Sequence, residues 1–507
     1  MTQRSIVLAG ALLGLVAALA MTLLLLVMRA TLGMPTPSEM VGDRLTAFIS
    51  IKQFFALLDQ FGGYNGLKQA GGGGVVAGQL FVGAATGALV AALHCRRGLD
   101  ARLLTGVAVA VLWIATVVLL WPNLGTNYRG LPPDNARVAA GLSLLVCYGV
   151  FGVVLALGLN RLTTQSTSTT QPASGRRNLL IGAGAVLAAS VAVMLRQFVQ
   201  WSTFSYDGTE YVGEDVQPVT PNDRFYSVTK NIVDPDPSPS VWRLEITGLV
   251  DRPRTYTFDE IRALPAVEQA TTLMCISNYL GGGLMSNAVW TGAPVRDLLV
   301  AAGPHAGSTR VVLHGADGYT DTYALDKALE PTTFLAYAMN GEPLPVRHGY
   351  PVRVLTPGLF GEKSVKWVTQ IELVDREVKG FYEQQGWGPN FVVPIRTTIY
   401  TRPFEGRLTP GAAFTVRGNA FAGNRGIARV EVSDDGGASW QPARIDYPGT
   451  DVTWVFWSFD WQPRGPGEHV LAARAVDRTG ARQIETYRDT APEGATGLAS
   501  LTVRLSA

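Results

Sequence analysis

The sequence predicts a multi-domain chain in three parts: an N-terminal region of five transmembrane helices, then an α+β domain, then an all-β sandwich. Three observations carry that prediction. The front of the chain holds long apolar runs with almost no interior charge. From about residue 200 onward, Asp, Glu, Arg, Pro and Trp become frequent. Beyond about residue 405, short alternating segments separated by Gly, Asp and Pro take over. The expected boundaries are 1–198, 199–400 and 401–507. At 507 residues the chain is too long for one ordinary core, and its net charge of +2 offers no footprint for nucleic acid.

A helix needs about 20 apolar residues to cross a bilayer core. Runs at 6–28, 74–94, 103–121, 138–159 and 179–195 meet that requirement. The first is too long and too apolar for a removable signal peptide, and no small-residue cleavage site follows it closely. Arg96, Arg97 and Arg102 follow the second run, and Arg161, Arg176 and Arg177 precede the fifth. The bias of basic residues toward cytoplasmic loops puts both segments, and the N-terminus, inside. The less basic "PNLGTNYRGLPPDNA" then lies outside, as does the loop 29–73, whose "SEMVGDRLTAFISIKQFFALLDQFGG" predicts one or two short amphipathic helices at the lipid surface. Everything after Leu195 is expected on the extracytoplasmic face. The stretch "SGRRNLLIGAGAVLAAS", from Ser174, is similar in outline to a twin-arginine export signal, with Leu179 and Ile181 in place of its Phe and Lys.

Residues 160–177 read as a Ser/Thr/Gln/Pro linker, and 196–240 as an irregular Asp- and Pro-rich stretch. "VWRLEITGLVDRPRTYTF" predicts two strands around a turn. "TFDEIRALP" predicts a short helix capped by Thr257, with Glu260 in the capping-box position. "TGAPVRDLLVAAG" predicts a helix stopped at Gly303. "TRVVLHGADGYTDTYAL" is a strand pair, and "YPVRVLTPG" and "KWVTQIELVD" are further strands. In the last part, "DDGG" ahead of Trp440 signals a hairpin. Several strands over about 100 residues suggest an immunoglobulin-like sandwich serving packing or dimerisation.

The chain has three cysteines. Cys95 ends the second span and Cys147 lies inside the fourth, so neither can reach Cys275 in "TTLMCISNYLGGGL", residues 271–284. An unpaired thiol in an oxidising compartment leaves three readings. It is a buried apolar side chain, a nucleophile with His305, His314 or His348 as base, or a metal ligand. A structural zinc site takes about four protein ligands. No CxxC occurs and histidines are sparse, so a metal on Cys275 would draw its other ligands from a cofactor.

The run "TTLMCISNYLGGGLMSNAVWTGAPVRDLL", the run "HGYPVRVLTPGLFGEKSVKW" (348–367) and the domain order resemble the sulfite-oxidase family of molybdenum enzymes over roughly residues 220–500. The N-terminal spans resemble those of membrane-fused bacterial molybdopterin oxidoreductases. The resemblance implies a Mo-molybdopterin cofactor whose metal is held by pterin sulfurs, oxo groups and one thiolate, here Cys275. Its surroundings are expected to lower the thiol pKa, and Gly281 to Gly283 to let backbone pack close to the metal. By the same resemblance Arg353 and Lys366 bind the pterin phosphate, with Ser364 and Val365 donating from the backbone. His348 hydrogen-bonds the pterin, Asp317 in "GADG" is a further contact, and Tyr226 and Ser227 in "RFYSV" line the cofactor.

Two family positions differ. The substrate-binding arginine is replaced by Val228, and the tyrosine before Lys-Gly-Phe by Val378. Both changes argue against sulfite as substrate, and Lys230 is expected to be solvated. His94 alone cannot ligate a haem from both sides, so the electron donor or acceptor, a cytochrome or a quinone, is separate. The expected protein is a membrane-anchored oxidoreductase, sulfite oxidase-like or sulfoxide reductase-like, acting on a small substrate, with a homodimer through the Ig-like part. The alternatives are a cysteine-nucleophile hydrolase and a non-enzymatic surface binding protein.

Overall fold

The computed structural model describes residues 3–46, 48–126, 129–164, 173–202, 216–231, 233–407 and 412–506. The chain forms two compact units. The first contains Met1–Phe204 with Lys230–Trp242 and Ala316–Gly318. The second contains Ser205–Thr229, Arg243–Gly315 and Tyr319–Ala507.

The first unit is helical. Its elements are α1 (Gln3–Leu32), α2 (Pro37–Thr46), α3 (Ile51–Gln60), α4 (Tyr64–Arg97), α5 (Ala101–Leu120), α6 (Pro133–Thr164) and α7 (Ala173–Ser202). Among the described residues four helices are long and apolar enough to cross a membrane: α1, α4, α5 with the turn after it, and α6. The expected fifth span falls in α7, whose apolar described part, Gly184–Phe198, is shorter than a bilayer requires. The side chains of Arg176 and Arg177 lie outside the described residues.

Small residues set the helix packing. Gly10 and Gly14 on α1 face Gly83 and Gly87 on α4, and an added Cβ at Gly14 or Gly87 would collide with backbone of the other helix. Both pairs are spaced by four residues, the arrangement that lets apolar helices approach closely. The loop between α1 and α4 contains the two short helices expected there. Ser50 caps α3 in a full capping box with Gln53. Arg29 and Glu39 form a buried ion pair at 2.9 Å, and Glu39 also accepts from the Thr36 amide at 2.7 Å.

Two sheets build the first half of the second unit. One has the order Arg254–Thr257, Arg243–Gly248, Val368–Val374, Arg310–Gly315, Thr320–Ala324, antiparallel except where Arg243–Gly248 runs parallel to Val368–Val374. The other joins Val267–Met274, Met285–Pro294, Phe334–Met339 and Glu342–Pro343, with Arg353–Leu355 also pairing to Phe334–Met339. The predicted helices are present. Phe258–Arg262 carries the Thr257–Glu260 capping box, and Val295–Ala302 ends at Gly303, whose φ is 71°.

A four-stranded and a five-stranded sheet follow. The predicted hairpin joins Ile427–Ser433 to Gln441–Pro442. Val416 and Trp457 from one sheet share a core with Val430, Leu471 and Val503 from the other. Ala499–Leu505 buries every second residue, the period of a strand with one face on a core.

Candidate active site

Cys275 occupies a hairpin loop. Val267–Met274 and Met285–Pro294 are antiparallel, and Met274 opposite Met285 is their last register pair. The loop 275–284 is closed internally. The Cys275 amide donates to Leu284 O at 2.9 Å, the Asn278 amide to Cys275 O at 3.1 Å, and the Leu284 amide to Asn278 Oδ1 at 3.0 Å. Two of the three glycines are required here. Gly281 has φ 77°, and a Cβ on Gly282 would stand 2.6 Å from Asn278 Oδ1.

The loop is clamped from the next domain by a residue the sequence reading passed over. Arg396 starts a strand of the four-stranded sheet and donates to Asn278 O at 2.6 Å and Tyr279 O at 2.7 Å. It is buried, and burial lowers its pKa to about 10. A lone cation in the apolar stretch "VVPIRTT" was the available signal.

The thiol is buried, and Cys275 Sγ lies 3.1 Å from Ser277 Oγ. Burial first and the Glu362 charge second push its pKa up to about 11, against hydrogen bonds around Ser277 that lower it. The expectation of a lowered pKa is therefore corrected. Among the described residues no cation beside this sulfur offsets its desolvation. Among the described residues none of the three candidate bases hydrogen-bonds to the thiol. His305 Nε2 lies 3.1 Å from Asp251, His314 Nε2 lies 3.4 Å from Glu372, and His348 Nε2 lies 3.1 Å from Asn222 O. Among the described residues no three His, Cys, Asp or Glu side chains group as a metal site.

The second half of the site surrounds His348, Arg353 and Lys366. Arg353 is buried and donates to His348 O at 3.1 Å and Ser364 O at 3.0 Å, and its guanidinium stands 5.1 Å from the Trp290 ring. Its Nε is shielded with no hydrogen-bond partner among the described residues. Burial lowers its pKa to about 10, so it stays charged. Lys366 Nζ donates to Arg347 O at 3.1 Å and Val228 O at 3.2 Å. Gly349, with φ 114°, brings backbone against both, since a Cβ there would lie 2.9 Å from Arg353 Cβ and 3.2 Å from Lys366 Cα. Trp367 adopts φ 50° directly after Lys366, a strained conformation of the kind that persists at sites fixed by their surroundings.

His348 donates from Nε2 to the Asn222 carbonyl, so Nδ1 carries the lone pair. Burial first, then Arg353, Lys366 and Arg347, lower its pKa to about 3, and the imidazole is neutral. Its ring meets Phe225 at 5.3 Å, and Phe225 stacks on Tyr226 at 5.5 Å. The Tyr226 amide donates to Ser286 Oγ at 3.1 Å, and Ser227 Oγ is shielded with no hydrogen-bond partner among the described residues. Tyr226, Ser227, His348, Arg353, Ser364, Val365 and Lys366 thus fall in one region. Gly361 joins it to the thiol loop, because a Cβ there would strike the Tyr226 hydroxyl and lie 3.4 Å from Met274 O.

Three expectations fare differently. The Ser364 amide donates to Gly361 O at 3.1 Å, inside its own turn. Asp317 belongs to the first unit, where Asn231 Nδ2 donates to Asp317 Oδ2 at 2.9 Å. Lys230 is not solvated. It is buried in that unit, 2.9 Å from Asp43 Oδ1 and 2.9 Å from Asp317 O. Burial raises the pKa of Asp43 to about 6, against the pull of Lys230.

Comparison with known proteins supplies the context. A family model described as the oxidoreductase molybdopterin binding domain matches residues 231–382, and one described as the Mo-co oxidoreductase dimerisation domain matches 392–489. An NADH nitrate reductase of Hordeum vulgare is 31% identical over 309 residues, covering 48% of this chain and 34% of that protein. The mitochondrial sulfite oxidase of Drosophila melanogaster is 31% identical over 320 residues, covering 53% and 56%. The chain therefore spans between about a third and just over half the length of these curated relatives. Among solved structures, the sulfane dehydrogenase SoxCD of Paracoccus pantotrophus matches with a TM-score of 0.52 at 24% identity, covering 61% of this chain and 89% of that one. At that identity the likeness shows the fold.

Proposed function

From a chain that belongs to the sulfite-oxidase family of molybdopterin-dependent oxidoreductases, we propose a membrane-anchored enzyme that transfers an oxygen atom and two electrons on a small substrate outside the cytoplasm. The observation that carries this reading is the pairing of a rigidly held thiol, Cys275, with a cationic region built on Arg353 and Lys366.

The residues present fit a molybdenum–pterin cofactor. Arg353 Nε and Ser227 Oγ are shielded donors with no hydrogen-bond partner among the described residues, which suits a phosphate-bearing ligand. A molybdenum–pterin group supplies two-electron and oxygen-atom chemistry when bound. Cys275 would be its protein ligand, and a bound metal cation is what ionises a thiol held this high. Arg353 and Lys366 would hold the phosphate, with Val365 contributing from the backbone, and Tyr226, whose amide is engaged by Ser286 Oγ, would line the cofactor. Neutral His348 would accept at Nδ1. The loop bonds of Asn278 and Arg396 keep the thiol in place and limit water around it.

The overall reaction adds water's oxygen to the substrate and releases two electrons and two protons, or runs in reverse. A separate cytochrome or quinone would carry the electrons, and the all-β part would pair two copies of the chain as an Ig-like dimerisation module. We take α7 as the fifth crossing, on the strength of its 30-residue length, which leaves the catalytic domain outside. Labelling intact cells with a membrane-impermeant maleimide at a cysteine placed on exposed Ile484 checks the side, and absence of labelling would contradict it. The chemistry is tested by Cys275→Ser. Molybdenum-dependent turnover is expected to fall at least about 10³-fold, a loss of roughly 4 kcal/mol of transition-state stabilisation, and full retention would remove the assignment.

A further inference from the structure

Glu362 lies in the short turn Gly361–Lys363, inside the run that carries Ser364 to Lys366. Its residue is partly exposed, yet both carboxyl oxygens are shielded from solvent and neither has a hydrogen-bond partner among the described residues. The adjacent ammonium attracts the carboxyl's charge but makes its hydrogen bonds elsewhere. Lys363 Nζ is directed to Asp321 Oδ1 at 2.6 Å and Glu383 Oε1 at 2.7 Å. The Tyr319 hydroxyl donates to Asp321 Oδ2 at 2.8 Å, and its oxygen lies 3.2 Å from the Glu362 backbone carbonyl.

The turn packs on the thiol loop. Gly361 stands against the Tyr226 hydroxyl and Met274 O, one residue before Cys275. The amides of Glu362 itself and of Ile276, one residue after Cys275, stand near the carboxyl and partly offset the rise in its pKa without closing a full hydrogen bond, and the carboxyl charge raises the pKa of the thiol. A shielded carboxyl with two open oxygens is costly, and natural proteins seldom leave such a group without a ligand to satisfy it.

Two positions of the resemblance lack polar groups. Valine stands at 228 and at 378, where the resemblance places an arginine and a tyrosine. The cation that would attract an oxyanion is gone and a carboxyl is present. In either protonation state this disfavours a small anion. The ionised form repels it, and the protonated form offers one O–H where a guanidinium offers five N–H groups and a charge.

We propose that Glu362 contacts the substrate and sets its charge class: the site takes an uncharged compound with an S–O or N–O bond, or its reduced counterpart, and rejects sulfite and nitrate. This rests on the oxidoreductase reading above. Glu362 supplies the polar contact to the transferable oxygen that the two valines cannot.

The test uses the full-length protein in detergent, as wild type, Glu362→Gln and Glu362→Leu, with molybdenum per chain and Tm measured for each. Methyl phenyl sulfoxide is the probe, followed by titration calorimetry for binding and by reduced methyl viologen for turnover. Sulfite oxidation is followed with ferricyanide. Wild type is expected to favour the sulfoxide over sulfite by at least about 100-fold in kcat/KM. Glu362→Leu weakens sulfoxide binding at least about 10-fold, and Glu362→Gln, which keeps a hydrogen-bonding group of the same shape, stays within about three-fold of wild type. A loaded Leu variant that binds the sulfoxide as tightly as wild type, or a wild type that oxidises sulfite equally well, overturns this proposal alone. Chains carrying no molybdenum overturn the oxidoreductase reading and this proposal with it.

Discussion

The two ends of the candidate site are built on opposite electrostatic plans. At one end Arg353 and Lys366 are fixed by backbone carbonyls, beside a neutral His348. At the other end Cys275 and Glu362 share a shielded space in which desolvation raises both pKa values, to about 11 and about 8. A charge held by carbonyl dipoles is prepared for an anion. A thiol and a carboxyl whose desolvation outweighs the pull of any neighbouring cation are prepared for a metal and for a substrate that brings no negative charge of its own. One site can therefore grip a phosphate at one end and refuse an oxyanion at the other.

The sharpest probe of the cationic end is acid. His348 titrates at about 3 when folded, against an ordinary 6.5, so the unfolded chain binds a proton that the folded one does not. Its contribution is whole above pH 6.5 and is lost as pH falls toward 3, up to roughly 4–5 kcal/mol. Denaturant titrations between pH 4 and 7 on wild type and His348→Gln should show the variant with a visibly flatter slope, and parallel slopes would break the assignment. Next in size, Arg353→Met should cut cofactor retention through purification about 100-fold, near 2.7 kcal/mol, while leaving Cys275 in place. Retention unchanged would move the phosphate elsewhere.

The thiol end depends on its clamp. Arg396→Met removes two charged donors from Asn278 O and Tyr279 O, and should destabilise the domain by about 2–3 kcal/mol and raise proteolysis within 275–284. A variant with wild-type Tm and protease resistance would show that the loop holds itself. The smallest effect belongs outside both ends. Thr257→Ala breaks the capping box of Phe258–Arg262 and should cost about 1 kcal/mol with molybdenum content unchanged. A fall in metal content there would mean that loading follows general stability rather than the site.

Much of this was legible in the chain. The Thr257–Glu260 cap, the stop at Gly303 and the "DDGG" hairpin are local signals read within a few residues, and the structure has them all. Cys275 stood out because no second cysteine could reach it. What the sequence hid is long-range. Lys230 looks solvated in "VTKNI", and only its pairing with Asp43, 187 residues away, makes it buried. Arg396 lies 118 residues from the carbonyl it holds. Glu362 lies inside the "GEKSVKW" motif, yet its significance is that its shielded carboxyl has no full hydrogen bond among the described residues, which no local pattern encodes. The amide of Ser364 is engaged by its own turn for the same kind of reason, since the tight Gly361–Lys363 geometry was not visible. The fifth span is the reverse case. Its composition suggested a crossing, while the described apolar part is shorter than the run read from the sequence.

Elemental analysis of the purified full-length protein, after expression with ample molybdate, tests the central claim most directly. The account predicts about one molybdenum per chain in wild type, with the metal lost or labile in Cys275→Ser at unchanged Tm. A well-folded wild type that carries no molybdenum under those conditions would contradict it.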